Sequence, residues 1–322
     1  MRPRHDGRQK AGKEVSLSTI TIAHISDPHL PSEMAPPRLT ERLNKRMFSY
    51  LSWTRRRRFI HRPEVLVRVM GDIATSQVDM IALPGDLTNM GLPGECRQAR
   101  RWLEQMPAPC TVIPGNHDTL VHDDWQATVG LWQPWMGPLP FPFVRRIGNV
   151  ALIGVSTAVP TPWFRATGRI GVHQSRRLRT ILHGAGQQGL CRIIMIHHPP
   201  VPGLAVTRKA LTDIRNFSEC IAREGAEMIL HGHIHLSTLS SLPGPAGGVP
   251  VIGIASASAS ARSDDPLRAA GWNRITVSPR GNGYEIGVTR RFFPADAAAG
   301  TTRETIFDPS PPSRCFSGIS TP

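Results

Sequence analysis

The feature that most limits what this chain can become is a set of short apolar runs that each stop at aspartate, asparagine or histidine. "ITIAHISDPH" ends in Asp27 and His29, and "MIALPGD" in Asp86. "TVIPGNHD" ends in Asn116, His117 and Asp118, "IIMIHHP" in His197 and His198, and "MILHGHIH" in His233 and His235. Runs of this length and content predict buried β-strands. Where such strands alternate with amphipathic stretches, an α/β architecture follows, and open α/β sheets bind ligands at the carboxyl ends of their strands. Five polar ends can therefore meet in one place although they are scattered from residue 27 to residue 235.

Nine strands are predicted: "TITIAHIS", "DMIALPG", "CTVIPG", "NVALIGVST", "CRIIMI", "EMILHG", "VPVIGIA", "NRITVS" and "YEIGVTRRFF". Pro63 opens a helix as a first-turn proline, with Leu66, Val69 and Ile73 recurring at helical spacing. Leu178, Ile181 and Leu182 mark a second helix, and Leu211, Ile214 and Ile221 a third. One domain over residues 19–293 is the simplest organisation. The basic, aperiodic residues 1–18 and the tail 294–322, rich in Ala, Thr, Ser and Pro, are expected to be disordered. No run approaches the 18 or so apolar residues of a membrane span, and the N-terminus lacks a secretory apolar segment, so a cytoplasmic protein is expected. Cys96, Cys110, Cys191, Cys220 and Cys315 are scattered without a Cys-x-x-Cys pair, which argues against a disulfide framework or a zinc ribbon.

Asp, Asn and neutral His make a mixed oxygen and nitrogen ligand set suited to Mn, Fe or Zn, and there are more of them than one ion can use. Two divalent or trivalent ions are implied. Paired ions about 3.5–4 Å apart polarise phosphoryl oxygens and lower the pKa of bound water to about 7, giving a bridging hydroxide as nucleophile. A histidine close to the ions without binding them can protonate the leaving alkoxide, and His117 is the candidate.

The ordered blocks "SDPH", "GDLT", "GNHD", "HHP" and "GHIH" resemble the calcineurin-like metallophosphoesterase superfamily, most closely the class III cyclic-nucleotide phosphodiesterase-like proteins. The resemblance implies a four-layer sandwich of two mixed β-sheets flanked by helices. It implies one metal held by Asp27, His29, Asp86 and His235, and another by Asp86, Asn116, His197 and His233, with Asp86 bridging. His117 would contact the phosphate and protonate the leaving group, and Asp118 would orient its imidazole. His198 and His231 fall outside this set and read as packing groups, while Gly232 gives the backbone room to turn.

The formal charge is +14, and residues 38–62 carry nine Arg or Lys against one Glu. This insertion is longer and more basic than compact members of the superfamily have. Leu43, Met47, Tyr50 and Leu51 recur at helical spacing, followed by Trp53, Arg55 to Arg58, Phe59 and Ile60. Such a segment suits a helix in an anionic lipid surface, with Trp53 at the boundary and the arginines near headgroups; equally, it suits a solvated basic helix whose apolar stripe packs on the domain. Nucleic acid ranks lower, because no recognition module accompanies the charge. Aromatics in the proline-rich loops, among them Trp163 and Phe164, could wall an apolar pocket.

The leading expectation is a phosphodiesterase acting on a phosphoester small molecule. The alternative keeps the mechanism and changes the substrate to a nucleotide-linked lipid such as UDP-diacylglucosamine, hydrolysed at the inner face of the membrane. A non-catalytic scaffold stands behind both, because His117 is present.

Overall fold

The computed structural model describes residues 18–31, 44–260, 265–294 and 302–307. The basic N-terminus, the start of the insertion, Cys315 and most of the tail lie outside the described residues.

Two six-stranded mixed sheets carry the fold. The first contains β1 (Ile20–His24), β2 (Met80–Leu83), β3 (Cys110–Val112), β10 (Gly271–Arg280), β11 (Gly283–Phe292) and β12 (Thr302–Phe307). Its order is β12-β11-β10-β1-β2-β3, with β1, β2 and β3 parallel and β10 antiparallel to β1. The second contains β4 (Phe143–Ile147), β5 (Val150–Val155), β6 (Cys191–Ile196), β7 (Met228–His231), β8 (Thr238–Gly244) and β9 (Gly247–Gly253). Its order is β4-β5-β6-β7-β9-β8, with β5, β6, β7 and β9 parallel and an antiparallel strand at each edge.

The two-residue period of a strand explains the layering. On β6, Cys191, Ile193 and Met195 join the core between the sheets, while Ile194 and Ile196 face the other way. On β7, Met228 and Leu230 go inward and Ile229 outward. The outward set is covered by α4 (Val172–Gln187) through Leu178 and Leu182, and by α5 (Ile214–Glu224) through Phe217 and Ile221. On the first sheet, α2 (Pro63–Ala74) packs through Leu66, Val69 and Ile73, and Asp72 on its far turn binds Trp272 Nε1 (2.7 Å) and Arg291. With α3 (Pro93–Leu103) and α1 (Arg46–Arg55), this completes a sandwich of two mixed sheets flanked by helices.

All nine expected strands are present. Three others were not foreseen: β4 and β8 are sheet edges, and β12 corrects the expectation of a disordered tail, since Thr302–Phe307 pairs antiparallel with β11. Cys96, Cys110, Cys191 and Cys220 are buried free thiols. Among the described residues, no helix is long and apolar enough to cross a membrane.

Candidate metal centre

The site lies at the carboxyl ends of five parallel strands, three from one sheet and two from the other. Asp27 and His29 follow β1, Asp86 follows β2, Asn116 and His117 follow β3, His197 follows β6, and His233 and His235 follow β7. The loops are tied to one another by backbone bonds: Asp27 N–H donates to Gly85 O (3.1 Å), His29 N–H to Asp86 O (3.1 Å) and Gly232 N–H to His197 O (3.2 Å).

The backbone is bent to aim these side chains. Among the described residues seven non-glycines have positive φ, and five of them are Asp27 (52°), His29 (39°), Asp86 (56°), His233 (71°) and His235 (51°). Left-handed backbone at such residues costs of order 1–3 kcal/mol each and persists where the surroundings enforce it, which is typical of functional sites. The close approach also requires glycine. A Cβ at Gly115 would collide with Asp86 Oδ1, and one at Gly232 with Ser26 Oγ and Asp27 Oδ2.

Three groups of side chains present ligand atoms within 4.8 Å of one another: Asp27, His29 and Asp86; Asp86, His197 and His233; and His29, His61 and His235. Asp86 belongs to two of them. Its Oδ2 lies 3.4 Å from His197 Nε2 and 3.9 Å from His29 Nε2, while its Oδ1 accepts the backbone N–H of His117 at 2.7 Å. Asp27 Oδ1 is 3.1 Å from His235 Nε2, and its Oδ2 accepts the His233 N–H at 3.0 Å. Asn116 Oδ1 lies 3.1 Å from His197 Nε2.

The outer nitrogens of the rings are anchored on carbonyls: His29 Nδ1–H on Thr88 O (3.0 Å), His197 Nδ1–H on Pro84 O (2.7 Å) and His233 Nε2–H on Lys209 O (2.9 Å). An imidazole that donates one N–H outward turns the other nitrogen inward, the arrangement that metal-binding histidines adopt. Two buried carboxylates and these inward nitrogens therefore converge acceptor upon acceptor. His29 Nε2 and His235 Nε2 face each other at 3.3 Å. Such a donor set fits a pair of cations, with Asp86 placed to serve both.

In the free protein a proton on His197 relieves part of this crowding. Burial would raise the Asp86 carboxyl, but the charge and hydrogen bond of His197 hold it well below the usual range. Burial opposes a charged His197, yet Asp86 and Asp27 overcome it and push that ring up to about 9. His117 moves oppositely, lowered to about 3 by burial and by the charge of Arg57.

Two placements differ from expectation. Asp118 does not orient His117: the imidazole is held by Nδ1–H donation to Asn89 O at 2.9 Å. The Asp118 carboxylate instead accepts the N–H groups of Asp86 (2.9 Å), Leu87 (3.4 Å), Thr88 (2.9 Å) and Gly115 (2.8 Å) and the Thr88 hydroxyl (2.8 Å). It fixes the two loops that present Asp86 and Asn116. Trp53, which one of the two readings of the insertion put at a lipid boundary, is buried and stacks on His61 with ring centroids 6.4 Å apart.

The insertion thus reaches the site, which sequence reasoning missed. His61 lies 4.4 Å from His29 and 5.6 Å from His235 between ring centroids. Arg57 Nη2 lies 3.0 Å and 3.2 Å from the two ring nitrogens of His29, and its Nη1 is 3.1 Å from His117 Nδ1. Only the helical spacing ahead of them hinted that this segment would fold onto the domain. His198 and His231 keep both ring nitrogens near other groups, Thr157 Oγ1 and Ala166 O for the former, Gly232 O and Thr238 Oγ1 for the latter.

Comparison with known proteins gives concordant results. A family model described as calcineurin-like phosphoesterase matches residues 20–237. A probable cyclic nucleotide phosphodiesterase from Synechococcus sp. is 26% identical over 218 residues, covering 66% of this chain and 78% of that protein. Among solved structures, a dimetal phosphatase from Danio rerio aligns with a TM-score of 0.53 at 11% identity, over 89% of this chain and 98% of that one. Purple acid phosphatase PPD1 from yellow lupin seeds aligns with a TM-score of 0.55 at 12% identity, over 90% of this chain and 53% of that one. At these identities the solved structures speak to the fold.

Proposed function

The chain belongs to the calcineurin-like phosphoesterase family and is a hydrolase of phosphoester bonds, and on that footing we propose that it is a two-metal phosphodiesterase acting on a small-molecule diester of the cyclic-nucleotide kind. The observation that carries this reading is the position of the Asp86 carboxylate, shared between ligand groups that come from opposing sheets. In the proposal Asp27, His29, Asp86 and His235 hold one ion, and Asp86, Asn116, His197 and His233 hold the other. When bound, the ions supply Lewis-acid activation of water and of the phosphoryl oxygens.

The chain's own side chains do the rest. With Nδ1–H committed to Asn89 O, His117 has Nε2 left for the leaving oxygen, and it acts there as general acid. The free ring is neutral, so the proton it delivers has to be taken up as substrate binds. Asp118 holds the loops on either side in register. The Synechococcus relative supports the diester class.

Hydrolysis of a 3′,5′-cyclic nucleotide, whose leaving group is an alkoxide that needs the acid, by Mn-loaded protein tests the proposal. His117→Ala is expected to lower kcat by roughly 100-fold or more, the usual worth of a positioned acid, and Asp86→Ala to lower it further. An inactive metal-loaded wild type, or full activity in either variant, contradicts the proposal.

One observation favours the lipid-linked substrate as a second reading. Phe48 on α1 packs against Trp163 and Phe164 with centroids 4.9 Å and 5.1 Å apart, and all three are exposed, Phe164 at 75%. Phe48, Ser52 and Arg55 share one exposed face of that helix. Apolar rings beside arginine suit an anionic bilayer surface. Flotation with anionic liposomes at low salt, lost in Trp163→Ser with Phe164→Ser, is the expected outcome of this reading; protein that stays in the aqueous fraction rejects it.

A further inference from the structure

The four consecutive arginines of the insertion do not share one environment. Arg55, Arg56 and Arg58 are exposed, whereas the side chain of Arg57 turns into the site between His29 and His117. A guanidinium carries five N–H donors and no acceptor, so its need is for acceptors. The site's rings do not meet it. Nη2 is almost equally far from both ring nitrogens of His29, at 3.0 Å and 3.2 Å, which places it over the ring face, because an equidistant position in the ring plane would collide with Cε1. Stacked in this way it leaves the in-plane lone pair of Nε2 untouched. Near His117 it meets Nδ1, whose hydrogen is already donated to Asn89 O. Asp86, Glu95 and Asp27 act on Arg57 through space without forming an ion pair with it among the described residues.

The position is built rather than incidental. Downstream of Arg57, His61 Nδ1 binds Ser258 Oγ (2.9 Å), Arg62 N–H donates to Ser258 O (2.7 Å) and Ser260 N–H donates to Ile60 O (2.6 Å). Upstream, Trp53 is buried against His61, and buried Arg46 binds Asp123 and the carbonyls of Met90 (3.1 Å) and Gly91 (2.8 Å). Both ends of the segment are thus pinned to loops that border the metal ligands. What it presents is a cation with unmet donors beside the proposed general acid. A planar fork of N–H groups matches an anion that offers two oxygens at once.

We propose that Arg57 binds the phosphoryl group of the substrate, donating through two N–H groups to its non-reacting oxygens, so that the insertion is a substrate-binding element of the active site. The assignment rests on the phosphohydrolase reading above. The test measures binding of inorganic phosphate to the Mn-loaded protein by calorimetry, together with metal content, KM and kcat on bis(p-nitrophenyl) phosphate. Wild type is compared with Arg57→Ala, Arg57→Lys and, as a control on an exposed arginine outside the insertion, Arg101→Ala.

Loss of two charge-assisted hydrogen bonds is expected to weaken phosphate binding by roughly 10- to 100-fold and to raise KM by a similar factor, with metal content unchanged. Lysine, a point charge without a fork, recovers part of the loss, and Arg101→Ala behaves as wild type. Wild-type phosphate affinity and KM in Arg57→Ala overturn the proposal, as does a loss explained by depleted metal. Complete recovery by lysine overturns the two-oxygen fork. Arg57→Lys carries the test if the alanine variant does not fold. A metal-loaded wild type with no hydrolytic activity sinks the parent reading instead, which separates the two failures.

Discussion

Asp118 stands next to His117 in the chain and serves a different purpose. Consecutive residues in a tight turn point apart, so adjacency in "GNHD" says little about contact. Its carboxylate gathers four backbone N–H groups and a hydroxyl from two loops. Asp118→Ala leaves these buried donors without an acceptor at about 1–3 kcal/mol each before relaxation, and a loss of at least about 3 kcal/mol in unfolding free energy is expected by denaturant titration. A cost below about 1 kcal/mol would show that the loops hold without it. His197 provides a second check. In protein stripped of metal, Asp86 and Asp27 keep this ring protonated up to about pH 9, and ligation requires it neutral. Metal uptake at pH 7 should therefore release about one proton from this residue, and affinity should climb as pH rises towards 9. Calorimetry in buffers of different ionisation enthalpy measures the release, and a pH-independent affinity would contradict the assignment.

At the scale of elements, what could be read from the sequence follows the strength of the apolar signal. The central strands are runs such as "IIMI" and "MIL", buried on both faces, and they declare themselves. The edge strands do not. β4 carries Arg145 and Arg146 side by side and buries only Phe143, and β8 is mostly Ser, Thr, Gly and Pro. α3 buries Cys96, Ala99 and Leu103, a face too small and polar to stand out, and it is started by Glu95, whose carboxylate accepts N–H groups from Asn89, Met90 and Leu92, each at 3.0 Å. The insertion was legible as helical and basic, but its direction was not. Whether Trp53 faces lipid or His61 depends on how α1 lies, which residue spacing leaves open. Because Trp53 closes the segment over the site, Trp53→Ala is expected to cost about 3 kcal/mol and to expose residues 46–62 to proteolysis. Unchanged melting and cleavage patterns would return the insertion to the surface.

For the molecule as a whole, all five loops of the candidate ligand set were foreseeable as strand ends, because buried polar side chains at the termini of apolar runs need a common partner, whereas the arrival of the insertion beside them was not. Their strained backbone and the collision of any Cβ at Gly115 or Gly232 with a carboxylate emerge only in three dimensions, whereas the sharing of Asp86 was already implied by the family resemblance. The proposed chemistry requires two cations gathered by residues from both sheets. Anomalous scattering from a crystal of the Mn-loaded protein, recorded on both sides of the Mn absorption edge, measures this directly. Two peaks flanking Asp86 are predicted, one within ligand distance of Asp27, His29 and His235, the other of Asn116, His197 and His233. A fully loaded crystal with one peak, or with peaks away from Asp86, would contradict it.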